Sequence, residues 1–325
     1  MKAAVLRECG QPPTYGDWPD PVASSEEHVV VDVTAAAIVP LDLLCATGTS
    51  YFGQPQVPYI PGVQGVGVVR DGSRGGRRVW FSTTAGQKPG DGSMAERALV
   101  NVADLVPIPD GVSDPTAAAL GLSAVAGWLS LTMAGELRHG ETVLVLGAGG
   151  AVGQVAVQAA RLQGASRVVA VARSSDARER ALRHGADAAV DNSDITDLSA
   201  LTATLAQACD GGADVIIDPV FGPTATAASR ALRPGGRLVN LGSAGGEVAT
   251  FDSPTIRSRR LKIVGYTNTG LAPSEIATAL GSIFDHCAAG DIRIEFDEVP
   301  LSEVRKAWTR QRDGTDRRQV LVPRP

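Results

Sequence analysis

The sequence predicts an α/β protein, with a doubly wound parallel sheet in its second half and a smaller β-rich module in its first. Apolar strand-like runs alternate with helical stretches from about residue 113 onward, as expected when helices cover both faces of a parallel sheet. Residues 1–110 are rich in glycine and proline and contain short β-like runs separated by turn signals, which favours a β-rich module. The chain has 325 residues and is 44% hydrophobic, enough for two cores.

Both halves contain recognisable strands. Those of the first module read HVVVDVTAAA, VQGVGVV, RRVWF and AERALV, at 28–37, 63–69, 77–81 and 95–100. Six apolar runs follow, at 142–148, 167–172, 188–191, 214–220, 237–243 and 261–267. Continuous Val, Ile and Leu runs are typical of strands buried on both faces, so these six predict a nucleotide-binding domain.

The C-terminal tail predicts a return to the first module. It contains two helical and two strand-like stretches, at 274–289, 301–311, 292–300 and 319–323. A last strand so far from the first module most simply pairs with it. We therefore expect a first domain of residues 1–115, completed by about 270–325, and a dinucleotide-binding domain over 116–269.

Charge and hydropathy exclude some classes of protein. The net charge is −5 and the basic residues are scattered, with RSRR and DRR as the densest groups, which argues against a nucleic-acid partner. The start of the chain lacks the apolar stretch of a secretory signal, and we expect no run of about 18 uncharged apolar residues. The expectation is a cytoplasmic protein that binds no membrane.

The cysteines indicate neither disulfides nor a thiolate metal site. Cys9, Cys45, Cys209 and Cys287 lie far apart and form no C-x-x-C pair. Small buried thiols are the simplest interpretation.

A glycine-dense turn joins an apolar strand to a helix within VLVLGAGGAVGQVAVQAARLQG, residues 143–164. Gly147, Gly150 and Gly153 have the spacing G-x-x-G-x-x-G, and Gly149 adds a G-x-G. Residues without Cβ allow a tight turn and close approach of a pyrophosphate, and the N–H groups at the helix start, including those of Ala151 and Val152, bind anionic oxygens. The alternative is a glycine-rich turn without a ligand.

The end of the next strand indicates which dinucleotide binds. An acidic residue there would accept hydrogen bonds from a ribose 2′-OH; here the strand runs into Arg173 and Ser174, with Arg178 one turn further on. Arginine and hydroxyl groups bind a 2′-phosphate, so NADP(H) is expected rather than NAD. Asp176 weakens the positive field, and Arg173 as a solvated loop cation is the alternative.

Several stretches match motifs of one known superfamily along nearly the whole chain. Residues 57–69, VPYIPGVQGVGVV, resemble the segment that carries P-G-x-E-G-x-G-x-V, with Gln64 at the place of the glutamate, and 76–81 with 92–100 resemble the pair G-x-R-V and G-[ST]-x-A-E. Residues 119–131 and 231–243 match its connecting helix and fifth Rossmann strand. The chain thus resembles the medium-chain dehydrogenase/reductase superfamily, which implies a Rossmann domain and a GroES-like N-terminal domain.

The resemblance also bears on zinc. In the alcohol dehydrogenase branch a cysteine and a histidine ligate catalytic zinc, whereas Ile38 or Val39 stands at the first place here, Val63 at the second, and Gln64 replaces a following glutamate. Aliphatic side chains cannot ligate a metal. Residues 85–95 lack the cysteines of a structural zinc lobe, and Cys45 is the only conceivable ligand.

A zinc-free chain of this length resembles the quinone oxidoreductase branch. Its members transfer hydride from NADPH to quinones or to the C=C bond of α,β-unsaturated carbonyls, and such acceptors can be reduced without a Lewis acid. The resemblance implies a small, planar, apolar, electrophilic substrate. Two alternatives stay open: a zinc-free carbonyl or imine reductase of a specialised biosynthetic pathway, and a non-catalytic NADPH-binding protein.

The resemblance supplies three candidates for the catalytic site. Asp42 ends the stretch Val39-Pro40-Leu41-Asp42, where the branch often carries Asn-Pro-x-Asp and this chain lacks the asparagine; it either contacts substrate or holds nearby backbone N–H groups. Tyr51 is the preferred proton or hydrogen-bond donor, with a role as pocket wall and proton delivery from water as alternatives. Ser123 is the candidate to replace a threonine that the branch carries where this chain has Ala126.

The remaining expected cofactor contacts lie at the carboxyl ends of the strands. Val220 is expected to wall the nicotinamide, and the carboxamide or ribose contacts are Gly242, Ser243, Thr267 and Asn268. Arg318 matches a lysine that faces the cofactor phosphates, or is a surface cation. Family members commonly pair through the sixth Rossmann strand, and RLKIVGY at 260–266 is apolar enough to predict a homodimer.

Overall fold

A computed structural model describes residues 1–70, 74–315 and 317–323. The chain divides into two compact units. The first comprises Met1–Leu122, Leu271–Gly290 and Ile294–Pro325, and the second comprises Ser123–Gly270 and Asp291–Arg293. The sequence had placed the first boundary at 115/116 and the second near 270.

The N-terminal part of the first unit is built from short strands. They are β1 (Lys2–Val5), β2 (Thr14–Asp17), β3 (His28–Ala37), β4 (Gln64–Val69), β5 (Arg78–Ser82), β6 (Arg97–Asn101) and β7 (Leu105–Pro107). Helix α1 (Pro40–Ala46) follows β3, and helix α2 (Asp114–Leu129) leads out of the unit.

The second unit alternates strands and helices. Its strands are β8 (Thr142–Leu146), β9 (Arg167–Ala172), β10 (Ala188–Asp191), β11 (Ala213–Asp218), β12 (Leu232–Asn240) and β13 (Lys262–Gly265). Its helices are α3 (Ala151–Leu162), α4 (Ser175–Arg183), α5 (Leu198–Ala208), α6 (Gly222–Arg230) and α7 (Ser253–Arg259). The strand order is β10-β9-β8-β11-β12-β13, and every neighbouring pair is parallel. This is the predicted doubly wound Rossmann sheet, whose order reverses between β8 and β11.

The tail completes the first unit. Helix α8 (Pro273–Ala289), strand β14 (Phe296–Pro300), helix α9 (Val304–Arg312) and strand β15 (Arg318–Val322) follow in order. The sheet order is β14-β15-β3-β4-β5-β7, with β6 also paired to β3. Because β15 pairs antiparallel with β3, the prediction that the last strand returns to the first module is confirmed.

One helical stretch corrects an expectation from the sequence. Asp114–Ala134, formed by α2 and a π-helical turn at Ser130–Ala134, is long and apolar enough to cross a membrane by length and composition alone. The expectation that the chain has no such stretch is therefore wrong. Since 61% of its apolar window is buried inside the protein, the stretch has the burial of a core helix.

Candidate functional site

The glycine turn between β8 and α3 has a backbone that requires glycine at two positions. Gly147 has a φ of 61°, and a Cβ there would lie 2.7 Å from Cγ2 of Val220. A Cβ on Gly153 would overlap the carbonyl oxygen of Gly147. Around Gly150, which is exposed, the nearest atom to a Cβ would be 3.6 Å away. The turn is therefore closed on the side of Val220 and open at Gly150.

The start of α3 offers backbone donors at this open side. The first bond of the helix runs from the Gln154 nitrogen to the Gly150 oxygen, at 2.9 Å. The N–H groups of Ala151, Val152 and Gly153 precede that bond and so have no acceptor within the helix. Together with the positive end of the helix dipole they fit a pyrophosphate.

Two buried side chains that the sequence analysis did not identify hold the turn. The carbonyl oxygen of Gly149 accepts from Nε2 of Gln154 at 2.9 Å and from Nη2 of Arg180 at 3.1 Å. Both side chains are buried. An arginine on the helix after β9 gives little signal in a sequence, because most arginines at such positions are solvated.

The predicted 2′-phosphate residues differ in what they contact. Nη1 of Arg178 donates to the carbonyls of Ala172 and Arg173, at 3.0 and 2.7 Å, and its Nη2 lies 3.0 Å from Asp191. Ser174 caps α4 by accepting the Ala177 N–H. The exposed guanidinium of Arg173 forms no hydrogen bond or ion pair within the described part of the chain. Arg178 thus supports the end of β9, and Arg173 is the cation available to a ligand.

Asp218 connects the loops that follow β11 and β12, and the sequence analysis missed it. Its Oδ1 accepts the N–H groups of Val220 and Phe221, at 2.9 and 2.7 Å, while its backbone oxygen accepts the Leu241 N–H at 2.8 Å. The Gly245 N–H then bonds to the Val220 oxygen. Burial raises the pKa of Asp218 against the opposing effect of the backbone donors.

The other predicted contacts on these loops occupy short turns. A Cβ on Gly242 would lie 3.2 Å from the Pro219 oxygen, so this residue lies beside the loop after β11. The Ser243 hydroxyl donates to Glu247 at 3.0 Å. After β13, Thr267 accepts the Thr269 N–H and Asn268 accepts from the Tyr266 hydroxyl. The structure thus brings Gly147, Val220 and Gly242 together, and leaves Thr267 and Asn268 at the end of the outer strand β13.

In the first unit, Asp42 is a buried carboxylate that binds backbone. Its Oδ2 accepts the Val39 N–H at 2.9 Å, and its Oδ1 accepts those of Gly62 and Val63 at 3.1 and 2.9 Å. Burial raises its pKa to about 6, although the three donors and Arg318 act against this. Of the two roles considered for Asp42, the structure supports the one in which it holds local N–H groups.

Arg318 lies in an environment that does not agree with the expected phosphate contact. It is buried in the first unit, and its Nη1 donates to the Ile38 oxygen at 2.8 Å. Burial lowers its pKa to about 10, opposed by the charge of Asp42. A guanidinium enclosed in this way is neither a surface cation nor exposed to bind a phosphate, so both expectations for it need correction.

The remaining candidates differ in exposure. Tyr51 is 76% exposed, and its ring centre lies 4.3 Å from that of Phe52. Ser123 is buried. Cys45 is also buried, and burial raises the pKa of its thiol to about 11. Among the described residues, no group of three or more His, Cys, Asp or Glu side chains is placed to hold a metal ion.

Comparisons with known proteins agree with this architecture. A family described as "Zinc-binding dehydrogenase" matches residues 151–285, and "Alcohol dehydrogenase GroES-like domain" matches residues 25–110. Quinone oxidoreductase-like protein 2 of Rattus norvegicus is 31% identical over 272 residues, which cover 81% of this chain and 74% of the relative.

Two solved structures share the fold over 99% of this chain. The quinone oxidoreductase of Thermus thermophilus, also solved in complex with NADPH, is 31% identical, has a TM-score of 0.83 and is covered over 100% of its length. An NAD-dependent alcohol dehydrogenase is 26% identical, with a TM-score of 0.87 and 99% of its length covered.

A Rossmann domain with a glycine turn, combined with a GroES-like β-rich domain, defines a two-domain oxidoreductase of the dehydrogenase class. The chain belongs to the medium-chain dehydrogenase/reductase superfamily, as a quinone oxidoreductase-like protein.

Proposed function

We propose that this protein is an NADPH-dependent, zinc-independent oxidoreductase that transfers hydride to a quinone or an α,β-unsaturated carbonyl. The assignment of NADPH as cofactor rests on the open helix start at Gly150. It is followed one strand later by the guanidinium of Arg173, which has no partner among the described residues. The similarity to a quinone oxidoreductase solved with NADPH supports the same assignment.

Different residues of the second unit would bind different parts of the cofactor. The N–H groups of Ala151, Val152 and Gly153 would hold the pyrophosphate, and Arg173 the 2′-phosphate. Val220 and the loops held by Asp218 would enclose the nicotinamide half. When bound, the reduced nicotinamide supplies the hydride.

The residues of the first unit would serve the acceptor. Reduction of a conjugated carbonyl or quinone places negative charge on oxygen, which a hydrogen-bond donor stabilises. Tyr51 would provide that donor and deliver the proton, because its side chain is exposed and its hydroxyl forms no hydrogen bond with another described residue.

Zinc independence rests on residue types. By the resemblance, Ile38 or Val39 stands at the place of one catalytic ligand and Val63 at the place of another. None of these side chains carries a ligating atom, and Asp42 is engaged by backbone N–H groups. Elemental analysis of the purified active protein should find zinc well below one ion per chain, and prolonged dialysis against a chelator should leave turnover unchanged. Stoichiometric zinc whose removal abolishes turnover would refute this part of the proposal.

A substrate panel tests the reaction class. Oxidation of NADPH would be followed with quinones, enones, simple ketones and cyclic imines. We expect turnover with quinones or enones only. Turnover restricted to ketones or imines would instead support a zinc-free carbonyl or imine reductase, which the similarity to an NAD-dependent alcohol dehydrogenase favours as second candidate. Cofactor binding without any turnover would indicate a non-catalytic NADPH-binding protein.

We also propose a cytoplasmic homodimer. Strand β13 is the edge of the second unit's sheet, and Ile263 at its centre is 40% exposed. An exposed apolar edge strand favours pairing with a second copy. Light scattering should give twice the chain mass for the wild type and a lower mass for Ile263→Lys. The four free thiols, two of them buried, suit a reducing compartment.

A further inference from the structure

Helix α2 is interrupted at Gly121, and the side chain of Gln64 occupies the interruption. Gly121 has a φ of 39° and a ψ of −139°, outside the helical range. In a regular helix the Leu122 N–H would donate to the Ala118 carbonyl. Here Nε2 of Gln64 donates to the Ala118 oxygen at 2.8 Å, and Oε1 of Gln64 accepts the Leu122 N–H at 2.6 Å. One carboxamide therefore satisfies both groups of the broken helix bond.

Gly121 is matched to this side chain. A Cβ at position 121 would overlap the Gln64 carboxamide, and its positive φ is disfavoured for residues other than glycine. The Gln64 side chain is fully buried, so it cannot move into solvent to make room. The kink therefore needs glutamine at one position and glycine at the other.

The chemistry of the amide explains why glutamine fits here. A primary amide donates and accepts at once, whereas an ionised carboxylate only accepts. The superfamily motif that residues 57–69 resemble has glutamate at this place. An ionised glutamate could take the Leu122 N–H, but it would place negative charge against the Ala118 oxygen. Glutamine satisfies both groups without needing a proton.

We propose that Gln64 is a positioning residue that, together with Gly121, fixes the kink in α2 and the backbone of Leu122, directly before Ser123. This role of Gln64 is independent of which cofactor or substrate the protein binds. The alternative is that Gln64 only fills buried volume, in which case Gln64→Ala would leave the exchange rate of the Leu122 amide unchanged.

A double-variant cycle tests whether residues 64 and 121 are matched to each other. Gln64→Ala and Gly121→Ala should each lower the melting temperature, the first by removing the bridge and the second by overlap and strain. In the combined variant the space is free, so α2 can straighten and the Ala118–Leu122 bond can form. We expect the combined variant to melt above Gly121→Ala alone.

The matched control is Gln158, another buried glutamine with a two-point contact. It exchanges hydrogen bonds of 2.8 Å with the backbone of Arg293. Gln158→Ala should not rescue Gly121→Ala, so that pair should melt below both single variants.

The hydrogen-exchange rate of the Leu122 amide is the second measurement. Exchange of the Leu122 amide should accelerate at least about tenfold in Gln64→Ala and return toward the wild-type rate in the combined variant. Should Gly121→Ala not fold, recovery of a folded protein in the combined variant is the same rescue. Additive melting shifts, or an unchanged Leu122 exchange rate in Gln64→Ala, would overturn the proposal.

Discussion

The Oδ1 atom of Asp42 and the backbone nitrogen of Val63 lie 2.9 Å apart, joined by a hydrogen bond between residues 21 positions apart in the chain. With the bond from the Val39 N–H to Oδ2, the carboxylate connects the two segments at which the resemblance to the alcohol dehydrogenase branch places the zinc ligands. In this chain the same two segments are joined by a carboxylate and backbone hydrogen bonds.

Asp42 should make stability depend on pH in a defined direction. Burial raises its pKa from 3.8 to about 6, so the folded state binds this proton more tightly than the unfolded state. The resulting contribution to the free energy of unfolding is about 3 kcal/mol. It is complete below about pH 4 and is lost as the pH rises through 6. Urea unfolding of wild type and Asp42→Asn at pH 4 and pH 7 measures this. The wild type should lose more stability between the two values, and equal losses would contradict the assignment.

Arg173 should control the choice of cofactor. Arg173→Asp removes the available cation and repels a 2′-phosphate, so we expect the ratio of kcat/KM for NADPH to that for NADH to fall at least about tenfold, or about 1.4 kcal/mol. Arg183→Asp, the same charge change at the other end of α4, is the control and should leave the ratio near that of wild type. If Arg173→Asp still prefers NADPH, another group binds the 2′-phosphate.

The fold follows from the sequence where burial dominates. All five residues of β8 are buried, and such uninterrupted apolar runs identify strands covered on both faces. The pair β1 and β2 was missed because KAAV and TYGD are short and weakly patterned. Strand β12 begins at Leu232, before a Pro-Gly-Gly that signals a turn, so its start was placed five residues late. Leu232 pairs with Ala213 and the next pair is Arg237 with Val215, so the Pro-Gly-Gly forms an irregularity within the strand.

The site was less predictable, because its contacts are distant in sequence. The role of Asp42 stayed open until its partners Gly62 and Val63 were known. Arg173 and Arg178 looked alike in the sequence, and they are separated only by the contacts that Arg178 makes with Asp191 and with the carbonyls of Ala172 and Arg173. Asp218 gave no signal, since its function is to bind backbone N–H groups of the loop that follows it.

Asp218 should support cofactor binding through geometry. Asp218→Ala leaves the N–H groups of Val220 and Phe221 without their acceptor, so KM for NADPH should rise about tenfold or more. Asp218→Asn keeps one accepting oxygen and should recover most of that loss. Asp214→Ala serves as control, because Asp214 lies at the opposite end of β11, where it binds the Thr142 N–H and Arg233. It should reduce stability without changing KM, and equal KM values for all three variants would exclude the positioning role.

Tyr51 should affect the chemical step if its phenol serves the acceptor. Tyr51→Phe keeps the ring and its packing on Phe52 but removes the hydroxyl. Loss of a positioned proton donor typically costs about 100-fold or more, and delivery of the proton from water would reduce the effect. We therefore expect kcat with a quinone or enone to fall at least about tenfold, with KM for NADPH unchanged. Tyr15→Phe, at another exposed tyrosine, controls for loss of a phenol elsewhere in the first unit. If kcat for Tyr51→Phe equals that of the control, the phenol only lines the pocket and water supplies the proton.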